Sequence, residues 1–138
     1  MDSGANRGLY GGRLKFYVEV SENVDVWADW RFSLLFGSDD GKDLLEYVNE
    51  RIENGMDIAE EHEEPEQLES TRVLMEIFWD LSRFRTSNGM GPNSITLTDI
   101  DAYCRYSNLV LKWIEIQWIK QIDSLYLKHY KAPKSDGN

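Results

Sequence analysis

Few side chains in this sequence can do covalent or acid–base chemistry. The 138 residues hold one cysteine, Cys104, and two histidines, His62 and His129. A thiol nucleophile needs a nearby base to become thiolate, and no spacing places either histidine beside Cys104. The cysteine reads instead as a small core residue. Carboxylates are plentiful, and the densest run is Glu60-Glu-His-Glu-Glu-Pro-Glu66. A divalent ion needs several ligands converging from fixed positions. Consecutive glutamates beside a proline diverge, so the run reads as solvated acidic chain, not as a metal centre. The glycine-rich opening that ends Tyr10-Gly-Gly12 has no strand before it and no Lys-Ser/Thr after it, as a phosphate loop requires. Gly-x-Ser-x-Gly, His-Glu-x-x-His and Cys-x-x-Cys are absent. The expectation is a protein with no catalytic residue, no metal and no cofactor.

What remains is recognition by large apolar side chains. Five Trp, seven Tyr and five Phe are many for this length, and aromatics dominate burial in cores and interfaces alike. Trp27, Trp30, Leu35, Trp79 and Trp113 exceed what one small core readily hides. They are the candidate partner-binding residues, toward another protein or a second copy of the chain. A net charge of −10 disfavours nucleic-acid backbone and anionic membrane as partners, since both select a basic face. It suits solubility or a basic protein partner. A single cysteine excludes an internal disulfide framework and fits a reducing compartment. No apolar run approaches the roughly 18 residues of a membrane span. Met1-Asp-Ser-Gly-Ala-Asn-Arg-Gly8 lacks an apolar signal core, so a cytoplasmic product is expected.

The elements that must position these residues follow from periodicity. Residues 1–12 read as a loose polar arm. From Leu14 apolar residues alternate: Leu14, Phe16, Val18 and Val20, then Val24, Val26, Ala28, Trp30, Phe32, Leu34 and Phe36 after Ser21-Glu-Asn23. Alternation this long predicts an N-terminal β-hairpin. A helical face of Val26, Trp27, Trp30 and Leu34 competes over residues 25–36. Ser38 or Asp39 can cap a helix over about 42–54, which Gly55 ends. A helix over about 68–85 carries the stripe Val73, Leu74, Ile77, Phe78, Leu81 and Phe84. A Gly/Pro loop at 86–93 precedes a short helix capped by Thr98 with Asp101. A long helix over about 110–131 follows, with a polar tail at 132–138. The predicted fold class is α+β and helix-dominated: an N-terminal β-hairpin, a helix, and a C-terminal three-helix unit. Its core holds Leu74, Ile77, Phe78, Leu81, Ile100, Tyr103, Leu111, Trp118, Ile122 and Leu125. The organisation is a hairpin-plus-helix region at 1–58, an acidic linker at 59–69 acting as a flexible joint, and a helical unit at 70–138.

Four segments carry a resemblance: Phe78-Trp-Asp-Leu-Ser-Arg-Phe-Arg85, Gly89-Met-Gly-Pro92, Ile95-Thr-Leu-Thr-Asp-Ile-Asp-Ala-Tyr-Cys104 and Ile122-Asp-Ser-Leu-Tyr-Leu127. Over residues 70–130 the chain resembles small tail-morphogenesis proteins of tailed bacteriophages, similar to the downstream part of tail assembly chaperones. In these a helix ends near an arginine, a Gly-Pro loop leads to an Asp-Ile-x-Ala-Tyr segment, and a closing helix carries Asp-x-x-Tyr-Leu. The chain departs from the pattern at Leu97, where many such proteins have tryptophan, and before Gly37. The resemblance implies a non-enzymatic factor in the host cytoplasm that binds tape-measure or tail-tube protein. Two other readings stand beside it, the first permitted by the net charge. One is an acidic DNA mimic that inhibits a host nucleic-acid enzyme. The other is a structural connector or tail-completion subunit of the virion.

Overall fold

The computed structural model describes residues 3–132, with side chains from Gly12 onward; the polar tail expected at 132–138 lies outside these residues except for Ala132. The described residues form five α-helices: α1 Ser3–Leu35, α2 Leu45–Glu53, α3 Glu69–Arg83, α4 Leu97–Ser107 and α5 Trp113–His129. A single 3-10 turn spans Glu60–His62. Among the described residues there is no β-strand, only an isolated bridge between Ser87 and Pro92. The fold is all-α.

The predicted hairpin is therefore corrected: residues 14–35 belong to one long helix, which begins at Ser3 and also replaces the loose arm. The alternation has a physical cause other than pleating. Val20, Val24, Ala28 and Phe32 form one row at helical spacing and are completely buried against α3 and α5. Trp30 and Leu34 form a second row, offset by two residues, and are buried under α2 with Val48. Two residues turn a helix by about 200°, so the rows lie on nearly opposite faces. Over residues 20–34 a helix buried on two opposite sides places core residues at every second position and imitates a strand, whereas Leu14, Phe16, Val18 and Val26 prolong the alternation as exposed residues.

α1, α3 and α5 lie side by side and run parallel. Ser21 of α1 accepts a hydrogen bond from Trp118 Nε1 (2.7 Å), and its carbonyl accepts one from Gln121 (3.1 Å). Further along, Asp29 meets His129 at 2.7 Å. The α3 pairing has the same sense, from Asn23 with Thr71 to Phe32 with Phe78 (rings 5.6 Å apart). Between them sit Leu74, Met75, Phe78, Leu81, Ile119 and Ile122, all buried. Of the predicted core, Leu74, Ile77, Phe78, Leu81, Ile100, Trp118 and Ile122 are buried, and Tyr103, Leu111 and Leu125 are partly buried against them.

Crossovers over residues 36–68 and 84–112, which carry α2 and α4, connect the parallel helices. α1 turns at Gly37, where a Cβ would collide with the Ser33 carbonyl oxygen. The side chain of Asp43, not Ser38 or Asp39, accepts from the Leu45 amide at the start of α2 (3.0 Å). Arg31 grips the same carboxylate bidentately (3.1 and 2.6 Å) and ties α2 to α1. α2 ends as its sequence suggests, with Gly55 at φ 68° and amides of Gly55 and Met56 returning to the Ile52 and Arg51 carbonyls. α4 starts two residues earlier than expected: Thr96, not Thr98, is its cap, in a reciprocal pair with Asp99.

The Arg31 hydrogen bonds, despite partial burial, hold Asp43 below the usual carboxylate range. At Asp29 burial pushes upward, but the His129 hydrogen bond and the His129 and Lys128 charges outweigh it. Both carboxyls are thus easier to ionise folded than unfolded. Their stabilisation is complete above the ordinary value of about 4 and is lost as pH falls through the lowered folded values. Acid titration followed by circular dichroism should show the wild type losing more stability below about pH 4 than Asp43→Asn does. Equal loss in both would remove the ion pair from the explanation.

The acidic run lies along α1. Trp30 Nε1 donates to the His62 carbonyl (3.2 Å) and Trp27 Nε1 to Glu64 Oε2 (3.4 Å). Asn23 is the main clasp: its Nδ2 donates to the Glu66 carbonyl (2.7 Å), and its Oδ1 accepts from the Leu68 amide (3.0 Å) and Thr71 hydroxyl (2.6 Å). A chain divided at 59–69 would be cut there first by a glutamate-specific protease. The clasp predicts slow cleavage between Glu60 and Glu69, accelerated in Asn23→Ala, which leaves those donors unmatched at a cost of about 1–3 kcal/mol. Equal, early cleavage of both proteins would show that the run works as a free joint.

Candidate functional site

Two features converge where α3 ends. The first is a buried charge pair. Arg85 lies just past α3, with its side chain 6% exposed, and Asp123 on α5 is 2% exposed. Arg85 Nη2 sits 2.7 Å from Asp123 Oδ1, as an ion contact outside hydrogen-bond alignment. The other oxygen, Oδ2, accepts from the buried amide of Ile95 (2.8 Å). Arg85 also donates from Nη1 to the Asn93 carbonyl (3.0 Å), and its guanidinium stacks 4.4 Å from the Tyr126 ring centre. Burial pushes the Tyr126 hydroxyl above its usual range, against the opposing Arg85 charge. Lys120 adds a hydrogen bond to the Ile95 carbonyl. One arginine thus joins the end of α3, the loop 86–95 and α5.

The loop closes on itself. Asn93 and Thr86 pair through backbone (2.8 Å) and side chains (2.8 Å), and the tip turns through Gly89 (φ 84°) and Gly91 (φ 154°). These two positive angles are what the glycines supply. The loop delivers α4 to the outer side of α3, where Tyr103 donates to Asp80 (2.9 Å). Burial, then the Asp80 carboxylate, raises the Tyr103 hydroxyl.

The second feature is the groove this arrangement leaves between α3 and α4. It has a volume of about 410 Å³ and is lined by Leu81, Phe84, Ala102, Tyr103 and Tyr106, with Asp99 and Ser107 at its rim. Phe84 is 81% and Tyr106 is 87% exposed. Exposed aromatics beside an apolar recess form the kind of surface that receives an apolar segment of another chain. Phe84 continues the apolar stripe of α3 in sequence. It lies instead at the C-cap, beyond the last helical residue, and so out of phase with the buried row. Val73, at the other end of that stripe, is also exposed.

The residues singled out from the sequence are dispersed. Trp30 is buried, and Trp27 packs on it at 5.4 Å while bridging the two hydrophobic clusters. Leu35 is partly buried on the main cluster. Trp79 is partly buried edge-on to Phe32 (5.7 Å) and beside Phe78 (5.2 Å). Trp113, at the first position of α5, is 61% exposed. Cys104 is partly buried, and that burial raises its thiol, with the Asp101 charge acting in the same direction. Among the described residues no three of His, Cys, Asp and Glu converge as a metal-binding group. No helix among them is long and apolar enough to cross a membrane.

Sequence reasoning missed Tyr106 and the whole buried pair. A signal for the pair was present: Arg85, the Gly-Pro loop and Asp123/Tyr126 of the Asp-x-x-Tyr-Leu segment all belong to the pattern that prompted the resemblance. Their common role is to hold the loop and α4 in place. Neither a curated protein nor a solved structure matches the chain. The family model described as "Phage tail assembly chaperone" matches residues 52–128, more than half of the sequence. That interval contains α3, the loop, α4, nearly all of α5 and both features of the site. The chain belongs to the phage tail assembly chaperone family.

Proposed function

We propose that the protein grips an apolar segment of the tape-measure or tail-tube protein in the α3–α4 groove, without catalysis, in the host cytoplasm, and leaves before the tail is complete. The observation that carries this reading is the pair of exposed aromatics, Phe84 and Tyr106, flanking an apolar groove inside the family-matched segment. Trp113 is a second anchor of the same kind, exposed on α5. Trp27, Trp30, Leu35 and Trp79 support the surface from within the hydrophobic clusters.

Co-expression with each tail protein, followed by affinity capture, tests the reading. The tape-measure or tube protein should be recovered, and the complex should persist as salt is raised. A complex that dissociates steeply with ionic strength would instead match a DNA mimic on a nucleic-acid groove. Recovery of the chain from finished particles would match a connector or tail-completion subunit.

A further inference from the structure

The whole formal charge of −10 sits on one stretch. Residues 38–66 hold twelve Asp and Glu against Lys42 and Arg51, and the rest of the chain is balanced. In the fold this stretch forms an outer layer over the C-terminal half of α1: α2 sits on Trp30 and Leu34, and the acidic run continues along Asn23 to Trp30. An open depression of about 1000 Å³ runs over α2, with Asp40, Glu46, Tyr47, Glu50 and Glu53 in its lining. Tyr47 is half-exposed there, and so are Ile52 and Met56 further along.

The other end of α1 has the opposite character. Arg13 and Lys15 are exposed beside Leu14 (62%), Phe16 (48%) and Val18 (54%), and the space around Gly12 is open. No carboxylate occurs between Asp2 and Glu19. Counting back from the Ser21–Trp118 and Asn23–Thr71 pairs, this part of α1 runs past the first turns of α5 and α3. Helices in proteins owe most of their stability to packing of an apolar face. This one carries Gly4, Gly8, Gly11 and Gly12 in sequence, each about 1 kcal/mol less favourable than alanine in a helix. Its own α2 cannot cover it. Leu14 and Trp30 are separated by about 24 Å of continuous helix at 1.5 Å per residue.

We propose that the basic, apolar N-terminal half of α1 docks into the acidic α2 depression of a second copy, head to tail. Leu14, Lys15 and Val18 share one face of the helix and enter the depression, Lys15 toward the α2 carboxylates and Leu14 with Val18 over apolar surface around Tyr47, while Arg13 and Phe16 flank the contact. Such a contact uses different surfaces on the two copies, so it extends into a ring or filament unless its geometry closes on two. It is independent of the client groove, which lies on α3 and α4, and is measured without any client present.

Sedimentation of the pure protein at rising concentration should show self-association that weakens as salt is raised. A head variant, Arg13→Glu with Lys15→Glu, and a layer variant, Glu50→Lys with Glu53→Lys, should each weaken association by about tenfold or more. Their helix content by circular dichroism should stay at the wild-type level. Mixing the two variants should then produce a one-to-one heterodimer, because one brings an intact acidic layer and the other an intact basic head. A wild type that stays monomeric at the highest concentration overturns the proposal. So does a mixture that forms no heterodimer, which would be the outcome for symmetric pairing of α1 with α1.

Discussion

Asp123→Ala is expected to lower the stability of the fold by about 3–5 kcal/mol, the cost of stranding a buried charge. Spread over an unfolding entropy near 2 cal/mol/K per residue, that is a fall in Tm of roughly 10–17 °C. The reason is local. Arg85 is almost fully buried between Tyr126 and Phe78, and Asp123 is its only carboxylate contact among the described residues. Removing Asp123 also leaves the buried Ile95 amide without its acceptor. Arg85→Ala should cost a similar amount, because it leaves Asp123 charged and enclosed. The paired replacement Arg85→Met with Asp123→Leu should recover the part of the loss that comes from a stranded charge, leaving the cost of about 1–3 kcal/mol for the unmatched Ile95 amide. Additive loss in the double variant would refute this account of the junction, and so would an Asp123→Ala protein within about 1 kcal/mol of wild type.

Phe84→Asp and Tyr106→Asp should act in the opposite way, on binding and not on folding. Both side chains are exposed, so their replacement should move stability by less than about 1 kcal/mol. If they anchor the client, each should weaken capture of the tail protein by about 30-fold or more, the factor corresponding to a hot spot of about 2 kcal/mol. Trp79→Ala is the useful contrast. Trp79 packs on Phe32 and Phe78, so its loss should cost stability and affect the client only through the fold.

The helical half of the fold was legible because its signals were local. Leu74, Ile77, Phe78 and Leu81 on α3, and Trp118 and Ile122 on α5, repeat at the period of a single buried face. Gly55 and the Gly89/Gly91 loop stop helices by backbone chemistry that needs no partner. The first third was misread because α1 is buried on two sides by elements far apart in sequence, α2 on one and α3 with α5 on the other. Its two rows merge into an alternation that a strand would also show. The groove was hidden for a related reason. Phe84 continues the α3 stripe in sequence, and only the end of the helix at Arg83 turns it outward. Asp123 reads as one more carboxylate in an acidic chain. Its importance comes from Arg85, 38 positions earlier, reaching it across the loop.

The most direct test of the central claim is photo-crosslinking in cells making the tail proteins, with a benzophenone amino acid placed singly at positions 84, 106 and 30. The predicted result is a crosslink to tape-measure or tail-tube protein from positions 84 and 106, on the rim of the groove, and none from position 30 beneath α2. Crosslinks to a tail protein that avoid the groove and arise elsewhere would contradict the claim that α3 and α4 hold the client.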